Sequence, residues 1–299
     1  MPPSGSIRIG DKWTQVSEKF AEKGGVLVTL GAPDTGKSTF NFWLCRELDK
    51  MGKTTAVVDC DMGQSDIGPP SALGMAIIKP GIEKFSDLQP DGIWFAGSVK
   101  PSGHFLQGLA GVTKLTGKAK AMGATHIVVN TTGWIDGPGI FYKQQKIDAV
   151  LPSFIVGFQY ERELLHVVSA YRRYDGVSTI FIEPSPSVCK RKSDERRIYR
   201  DEKFRQYFSD ASMIALSTAK TGISGYGFFP DETRLANQIV ALINSEGEHK
   251  ALGIVRKFNS KNRIIEIEAK LTDNPSAIRR IHFENFRINE EGNDYSGKD

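Results

Sequence analysis

Short apolar runs alternate with longer amphipathic stretches along most of the chain. The apolar runs are typical of buried strands, and they lie at Val26–Leu30, Thr54–Val58, Ile93–Ala96, His126–Asn130, Phe154–Gly157, Thr179–Ile182 and Ser212–Leu216. Helical spacing of apolar residues predicts helices at Lys37–Met51, Phe105–Met122 and Asp231–Asn244. Strands and helices that alternate in this way favour an α/β fold with a parallel sheet covered by helices on both faces.

The pattern changes after Ser245–Lys250, which we interpret as a linker. Ile254–Phe258 and Arg263–Glu268 flank an Asn-Ser-Lys-Asn segment, and this arrangement is typical of a hairpin. A further strand is predicted at Arg279–Ile288. The expected organisation is an N-terminal extension at residues 1–24, a large α/β domain at 25–247 and a small β-rich domain at 248–299.

Composition narrows the class of protein. The 299 residues are 39% hydrophobic and carry a formal charge of +4, which indicates a globular protein without an overall bias towards nucleic acid. The N-terminal segment has no apolar leader, and no run approaches the ~18 apolar residues of a membrane span. Cys45, Cys60 and Cys189 are far apart, so a disulfide framework is not expected. We therefore expect a cytoplasmic protein without a membrane partner.

The strongest local signal is a phosphate-binding loop. Gly31–Ser38 reads GAPDTGKS, which fits G-x-x-x-x-G-K-[ST] between a predicted strand and a predicted helix. In such a loop the backbone N–H groups and the helix N-terminus bind phosphates, the lysine reaches the β- and γ-phosphates, and the serine hydroxyl ligates Mg²⁺. The predicted nucleotide-binding residues are Gly31, Ala32, Pro33, Asp34, Thr35, Gly36, Lys37, Ser38 and Thr39.

Two carboxylates follow the second strand in Asp59–Gln64, which reads DCDMGQ. Asp59 and Asp61 point the same way because side chains alternate along a strand. One carboxylate of such a pair can hold Mg²⁺ and the other can accept the proton of an attacking hydroxyl. The alternative is that both merely cap the end of the strand. The guanine-reading Asn-Lys-x-Asp and the dinucleotide fingerprint G-x-G-x-x-G are absent. Phosphoryl transfer and ATP-driven motion therefore remain as the two classes of function.

Two further loops are candidates for the acceptor side. Thr131, Thr132, Gly133 and Trp134 close a strand, where a tryptophan face can stack on a nucleobase and the threonines can hold a phosphate. The alternative for Trp134 is a core residue beneath a loop. Gly97–His104 reads GSVKPSGH and either contacts a nucleic acid strand, through residues such as Ser98 and His104, or is an ordinary β–α loop.

A basic segment follows at Cys189–Arg205. Lys192, Arg196, Arg200 and Lys203 recur at helical spacing and form one positive stripe. Such a stripe is commonly a solvated face with ion pairs. Its place between late strands of a nucleotide-binding core favours a lid, at about residues 186–209, whose arginines neutralise charge on a transferring phosphoryl group.

Together these segments resemble the polynucleotide 5′-hydroxyl kinases of the Clp/Grc/Nol group and their archaeal relatives. The resemblance runs from about Gly25 to the C-terminus and rests on four motifs in order: GAPDTGKS, DxDxGQ, TxGW at Thr131–Trp134, and the lid arginines Arg191 and Arg196. Gly97–His104 is similar to a family loop as well. The family's eukaryotic members carry a large N-terminal β domain, whereas fewer than 25 residues precede the core here, so a minimal archaeal-type enzyme is expected.

The resemblance implies a role for each matching position. Lys37 and Ser38 bind the triphosphate and Mg²⁺, Asp61 activates the 5′-hydroxyl, and Asp59 supports the metal. Gln64 helps to place either the acceptor or a metal-bound water, and Trp134 stacks on the terminal base of the acceptor. Arg191 and Arg196 are lid arginines, and the helical stripe adds Arg200. The predicted catalytic residues are thus Lys37, Asp61, Arg191, Arg196 and Arg200, and the predicted metal ligands are Ser38, Asp59 and Asp61.

The expected fold is an α/β P-loop NTPase with a mainly parallel sheet, an arginine-rich helical lid and a small C-terminal β-rich module. The expected activity is transfer of the γ-phosphate of ATP, or of GTP, to the 5′-hydroxyl of single-stranded or duplex RNA or DNA. The alternative is an RNA-processing assembly factor that binds ATP structurally with little turnover. A kinase for a small metabolite is a third hypothesis, which the TxGW motif disfavours.

Overall fold

A computed structural model describes residues 9–186, 188–226, 228 and 232–289. The helices are α1 Asp11–Lys23, α2 Lys37–Lys50, α3 Phe105–Ala121, α4 Pro138–Val150, α5 Leu165–Val168, α6 Ser193–Phe208 and α7 Glu232–Leu235. The strands are β1 Gly25–Gly31, β2 Thr55–Cys60, β3 Ala72–Ile77, β4 Gly92–Phe95, β5 His126–Thr131, β6 Phe154–Phe158, β7 Ser178–Ile182, β8 Ser212–Ser217, β9 Gly222–Gly225, β10 Gln238–Ile243, β11 His249–Asn259, β12 Ile264–Ala269 and β13 Arg280–Arg287. Among the described residues, no helix has the length and apolar character needed to cross a bilayer.

The first of two compact units is built from the described parts of residues 1–59, 76–88 and 116–190. Its strands lie in the order β7-β6-β1-β5-β2, and β1 pairs in parallel with both β5 and β6. Central strands β1, β5 and β6 are buried along nearly their whole length, which explains their continuous apolar runs. Because carboxyl ends of parallel strands meet at one edge, the loops after β1 and β5 are neighbours.

Helix α1 belongs to this first unit. Val16 and Phe20 are fully buried on one of its faces, and the Phe20 ring meets the Phe154 ring of β6 edge-on at 5.5 Å. The sequence carries a helical spacing here, Trp13, Val16 and Phe20, that our sequence analysis did not use.

The second unit is built from the described parts of residues 60–75, 89–115 and 191–299. Its sheet has the order β4-β11-β10-β13-β9, and β12 pairs with both β11 and β8. Most of these pairs are antiparallel, including the β11–β12 hairpin that the sequence predicts. Helix α6 packs on this unit through Phe204, which is fully buried and lies 5.9 Å from the Phe286 ring.

Three predictions about elements are wrong. The helix predicted at Asp231–Asn244 is the short helix α7 followed by strand β10, because β10 is a central strand buried on both faces and its apolar run QIVALI has no polar alternation. The predicted linker is a hairpin turn in which Glu248 N–H donates to Asn244 Oδ1 at 2.9 Å and Gly247 has φ +77°. The strand predicted at Ser212–Leu216 is present as β8, but its expected place in the parallel sheet is wrong, because it pairs antiparallel with β12.

Candidate active site

The phosphate-binding loop has the strand–loop–helix geometry predicted for it. Gly31 has φ +152°, and a Cβ atom there would lie 2.7 Å from the Phe158 carbonyl oxygen, so only glycine fits. Gly36 has φ +92° at the N-cap of α2. No side chain caps this helix start, and the first amide groups of a helix lack carbonyl partners within it. The loop therefore directs backbone donors and the helix dipole towards an anion.

Lys37 lies folded over this loop and is only 7% exposed. Its Nζ donates a hydrogen bond to the Ala32 carbonyl oxygen at 2.6 Å, and Thr35 Oγ1 donates to the same oxygen at 2.9 Å. The ammonium group is thus held within the loop that is predicted to surround the phosphates.

Beneath the loop, buried polar side chains form a chain of hydrogen bonds in the first unit. Asn41 Nδ2 donates to Thr29 Oγ1 at 3.0 Å and to Asn130 Oδ1 at 3.2 Å. Asn130 Nδ2 in turn donates to Asp59 Oδ1 at 3.0 Å. The predicted metal-supporting carboxylate is therefore fixed by an amide that faces α2.

Sequence reasoning missed Asn41 and Asn130 as functional residues. Asn41 lies one helical turn after Lys37 and so shares its face of α2. Asn130 ends a buried strand next to the TxGW motif. A polar residue at either place is a usable signal, because buried amides need hydrogen-bond partners.

We call Thr131–Trp134 the clasp, and it lies against the phosphate-binding loop. A Cβ atom on Gly133 would lie 2.6 Å from Pro33 Cδ, so the two loops are in close contact. Thr131 Oγ1 donates to the Thr29 carbonyl oxygen at 2.7 Å. Both threonines are buried. Their hydroxyls tie the clasp to the fold, and contact with a phosphate stays a prediction.

A buried lysine that the sequence analysis did not single out supports the clasp. Lys143 of α4 is fully buried, and its Nζ donates to the Thr132 carbonyl oxygen and, at 3.0 Å, to Thr132 Oγ1. Trp134 is partly buried, and a Cβ atom on Gly139 would lie 2.8 Å from its Cγ. The five-membered ring of this tryptophan therefore lies against the start of α4.

In the second unit, Asp61 organises the turn that carries Gln64. Asp61 Oδ1 accepts the N–H groups of Gly63 at 3.2 Å and Gln64 at 3.1 Å. Gln64 Nε2 donates to the Arg196 carbonyl oxygen of α6 at 3.1 Å. The predicted general base and the predicted lid helix are thereby brought together through Gln64.

The predicted lid is helix α6, and Glu195 Oε2 caps its start by accepting the Lys192 N–H at 2.9 Å. Arg196 and Arg200 of the predicted stripe are partly buried, whereas Arg197 on another face is exposed. Arg191 precedes the helix and is exposed, with its guanidinium 5.8 Å from the centre of the Tyr199 ring. Within the stripe, Arg196, Arg200 and Lys203 are thus partly buried, whereas Lys192 is exposed.

Residues 65 and 66 extend the contact between this turn and the lid. Tyr199 Oη donates to Asp66 Oδ1 at 2.9 Å and to the Ser65 carbonyl oxygen at 3.2 Å. Burial raises the pKa of Asp66 above its ordinary value, while the Tyr199 hydrogen bond and the charges of Lys203 and Arg191 oppose that rise. Asp66 was missed because it lies beyond the DxDxGQ motif.

The Gly97–His104 loop rests on Glu284 of β13. Gly97 has φ +72°, and a Cβ atom there would overlap the Glu284 side chain. Gln107 Nε2 donates to Glu284 Oε1 at 3.1 Å, and His282 Nε2 lies 3.2 Å from the same oxygen. Burial alone would raise the pKa of Glu284, but the hydrogen bonds from His282 and Gln107 hold it below its ordinary value.

Within this loop the two predicted substrate residues have different surroundings. Ser98 Oγ accepts the Lys100 N–H at 3.0 Å and so closes a local turn. His104 stands at the start of α3, where its charge contributes to the lowered pKa of Glu284. Substrate contact by Ser98 or His104 stays a prediction.

The chain is similar to known proteins in both sequence and fold. A family model described as mRNA cleavage and polyadenylation factor CLP1 P-loop matches residues 31–210. A polyribonucleotide 5′-hydroxyl-kinase of Pyrococcus furiosus is 27% identical over 89% of this chain and 88% of its own length. The enzyme of the same name from Methanocaldococcus jannaschii is 24% identical over 92% of this chain and 90% of its own length.

A solved complex of wild-type Clp1p with Pcf11p has a similar fold. It superposes with a TM-score of 0.68 over 92% of this chain and 79% of that chain, at 12% sequence identity. At 12% identity, this similarity shows a shared fold alone.

Proposed function

This chain belongs to the CLP1 P-loop family, and we propose that it is an ATP-dependent polynucleotide 5′-hydroxyl kinase with RNA as its acceptor. The observation that carries the proposal is the contact between the clasp and the phosphate-binding loop, Gly133 against Pro33. A surface suited to a nucleobase thus borders a surface suited to a triphosphate. The names of the archaeal relatives support the same reaction.

The proposed step joins the 5′-oxygen of the acceptor to the γ-phosphorus of ATP. The bond between that phosphorus and the β–γ bridging oxygen breaks, and ADP leaves with the electron pair. Asp61 accepts the proton of the 5′-hydroxyl. Lys37 and the loop amides hold the triphosphate, and the lid arginines Arg191, Arg196 and Arg200 offset its negative charge.

A magnesium ion fits the donors that this chain offers. The Ser38 hydroxyl and the Asp59 carboxylate, held by Asn130, are hard oxygen ligands of the kind Mg²⁺ takes together with phosphates and waters. In the described residues no cluster of three or more His, Cys, Asp or Glu forms a separate metal site. When bound, the ion would neutralise phosphate charge and orient the γ-phosphate for attack. We propose Ser38, Asp59 and Asp61 as the residues around it.

The test is a transfer assay with γ-labelled ATP, in which the acceptors are a single-stranded 5′-hydroxyl RNA, its DNA twin, the same RNA carrying a 5′-phosphate, and adenosine. Parallel reactions contain Mg²⁺ or a chelator, and labelled GTP replaces ATP in one arm. We expect label on the RNA only where a 5′-hydroxyl and Mg²⁺ are both present. Lys37→Ala is the inactive control.

The alternative, an RNA-processing factor that binds ATP structurally, is an outcome of the same assay. Tight ATP binding without label on any acceptor would support it and contradict the kinase. Label on adenosine in preference to RNA would instead indicate a small-molecule kinase. The presence of both Lys37 and Asp61 favours turnover over structural binding.

A further inference from the structure

Helix α6 is attached to the segment after Asp61 at two points that lie on one face of the helix. The Arg196 carbonyl oxygen accepts Gln64 Nε2 at 3.1 Å. Three residues further, Tyr199 Oη reaches Asp66 Oδ1 at 2.9 Å. Residues spaced by three share a helix face, so both contacts act on the N-terminal half of α6, where Arg196 and Arg200 of the predicted lid stand.

The C-terminal half of the helix is anchored differently. Phe204 is fully buried in an apolar cluster of the second unit, and Tyr207 Oη accepts the Leu252 N–H of β11 at 3.0 Å. Burial raises the pKa of Tyr207 to about 12, so this phenol keeps its proton. One half of α6 is thus fixed by core packing, and the other half is held by polar contacts.

Positive charges converge on the Asp66–Tyr199 pair. Arg191 lies 5.8 Å and Lys203 lies 5.6 Å from the centre of the Tyr199 ring, within reach of a cation–π interaction. Both cations also attract the Asp66 carboxylate. The Asp66 carboxylate therefore interacts with the lid through the Tyr199 hydroxyl and through the charges of Arg191 and Lys203.

We propose that Asp66 and Tyr199 form a latch, a pair of positioning residues that hold the N-terminal half of α6 in register with the Asp61–Gln64 turn. The latch sets where Arg191 and Arg196 stand relative to the carboxylate that receives the proton, and it rests on the proposed function. A hydrogen bond fixes the distance and the angle between its two groups. Its loss leaves the helix formed but its register unspecified.

The test compares Tyr199→Phe, which removes the donor, Asp66→Ala, which removes the acceptor, and the double variant with Tyr207→Phe, which removes a hydroxyl from the other half of the same helix. Hydrogen exchange of the backbone amides is the first measurement. We expect faster exchange within Ser193–Arg200 in the latch variants and unchanged exchange within Phe204–Phe208. Tyr207→Phe should show the reverse pattern.

Steady-state transfer to a 5′-hydroxyl RNA is the second measurement. Each latch variant should lower kcat about tenfold while KM for ATP stays within about twofold, because the phosphate-binding loop is untouched. The double variant should be no slower than the slower single variant, since both changes break one interaction. Tyr207→Phe should keep kcat within about twofold.

Three outcomes would overturn the latch: unchanged amide exchange in Ser193–Arg200, an unchanged kcat despite faster exchange, or fully additive losses in the double variant. Tyr199→Phe retains the ring and its packing, so it stays informative where Asp66→Ala folds poorly. Wild-type protein that labels no acceptor would refute the proposed function. The exchange measurement would still decide whether the latch holds the helix.

Discussion

At the scale of single residues, Asp61 has one carboxylate oxygen committed to the backbone, because Oδ1 accepts two N–H groups of its own turn. An asparagine can keep both bonds through its amide oxygen but cannot accept a proton. Asp61→Asn should therefore retain ATP binding and lose transfer, with kcat lower by about 100-fold or more. Fluorescence titration with a labelled ATP analogue and the end-labelling assay measure the two effects, and undiminished transfer would reject Asp61 as the base.

A second prediction at the scale of single residues concerns base stacking by Trp134. Its partly buried ring is braced by the start of α4, so removal of the ring should cost base stacking more than fold stability. We expect Trp134→Ala to raise KM for an oligonucleotide by about tenfold, which corresponds to stacking worth ~1–3 kcal/mol per base. KM for ATP should change by less than about twofold. Trp134→Phe is the matched control, and equal changes in both KM values would contradict stacking.

At the scale of elements, the contact between two loops can be tested with one methyl group. Gly133→Ala should push the phosphate-binding loop out of place, because the new Cβ would meet Pro33 at 2.6 Å or less. We expect ATP affinity to fall by about tenfold while far-ultraviolet circular dichroism is unchanged. Gly117→Ala, where nothing lies within 4 Å of the new Cβ, is the control. Unaltered ATP affinity in Gly133→Ala would mean that the loops are not coupled.

The elements also show how much the sequence could predict. Helix α2 was predictable because its apolar residues recur at helical spacing. Strands β1, β5 and β6 were predictable because they are short apolar runs with glycine or proline close to their ends. Strand β10 was not, because a run buried on both faces shows no period of its own, and no glycine or proline separates it from the helical residues of α7. The turn at Asn244–Glu248 looked like a linker since its residues are polar, yet the hydrogen bonds that make it a turn are local backbone geometry.

The candidate site was predictable only where a motif names its residues. Lys37, the clasp and α6 carry such motifs, and the structure brings the first two together in one unit. Asn41, Lys143 and Glu284 act through contacts between segments that are distant in the chain. A single sequence holds no record of which distant residues meet.

At the scale of the whole molecule, His249 makes stability depend on pH. Its ring stacks on Trp94 at 4.2 Å, and its Nδ1 accepts the Phe95 N–H at 3.0 Å. Burial, reinforced by the charges of His282 and Arg280, lowers the pKa of His249 from 6.5 to about 3. A lowered pKa in the folded state means that the unfolded chain takes up the proton first, so stability is full above 6.5 and declines as the pH falls towards 3.

We expect protonation of His249 to lower the free energy of unfolding by up to about 1.4 kcal/mol for each pH unit below 6.5. His249→Asn keeps an acceptor for the Phe95 N–H and has no titrating ring, so its free energy of unfolding should fall less steeply with acid. Urea unfolding of both proteins at pH 7.5, 6 and 5 measures the difference. Parallel pH profiles for the two proteins would exclude His249 as the source.

Strand β4 pairs with β3 on one side, but its second neighbour comes late in the chain, since Ile93 pairs with His249 of β11. A ribosome completes every segment of the first unit by residue 190, whereas β4 waits for more than half of the chain before β11 emerges. Until then the nascent protein exposes an unpaired strand edge, which is the kind of surface that chaperones shield and that self-association exploits. The order of synthesis therefore places the phosphate-binding loop in a finished sheet well before the last strands arrive, and a stop codon before His249 would leave that early edge without its neighbour.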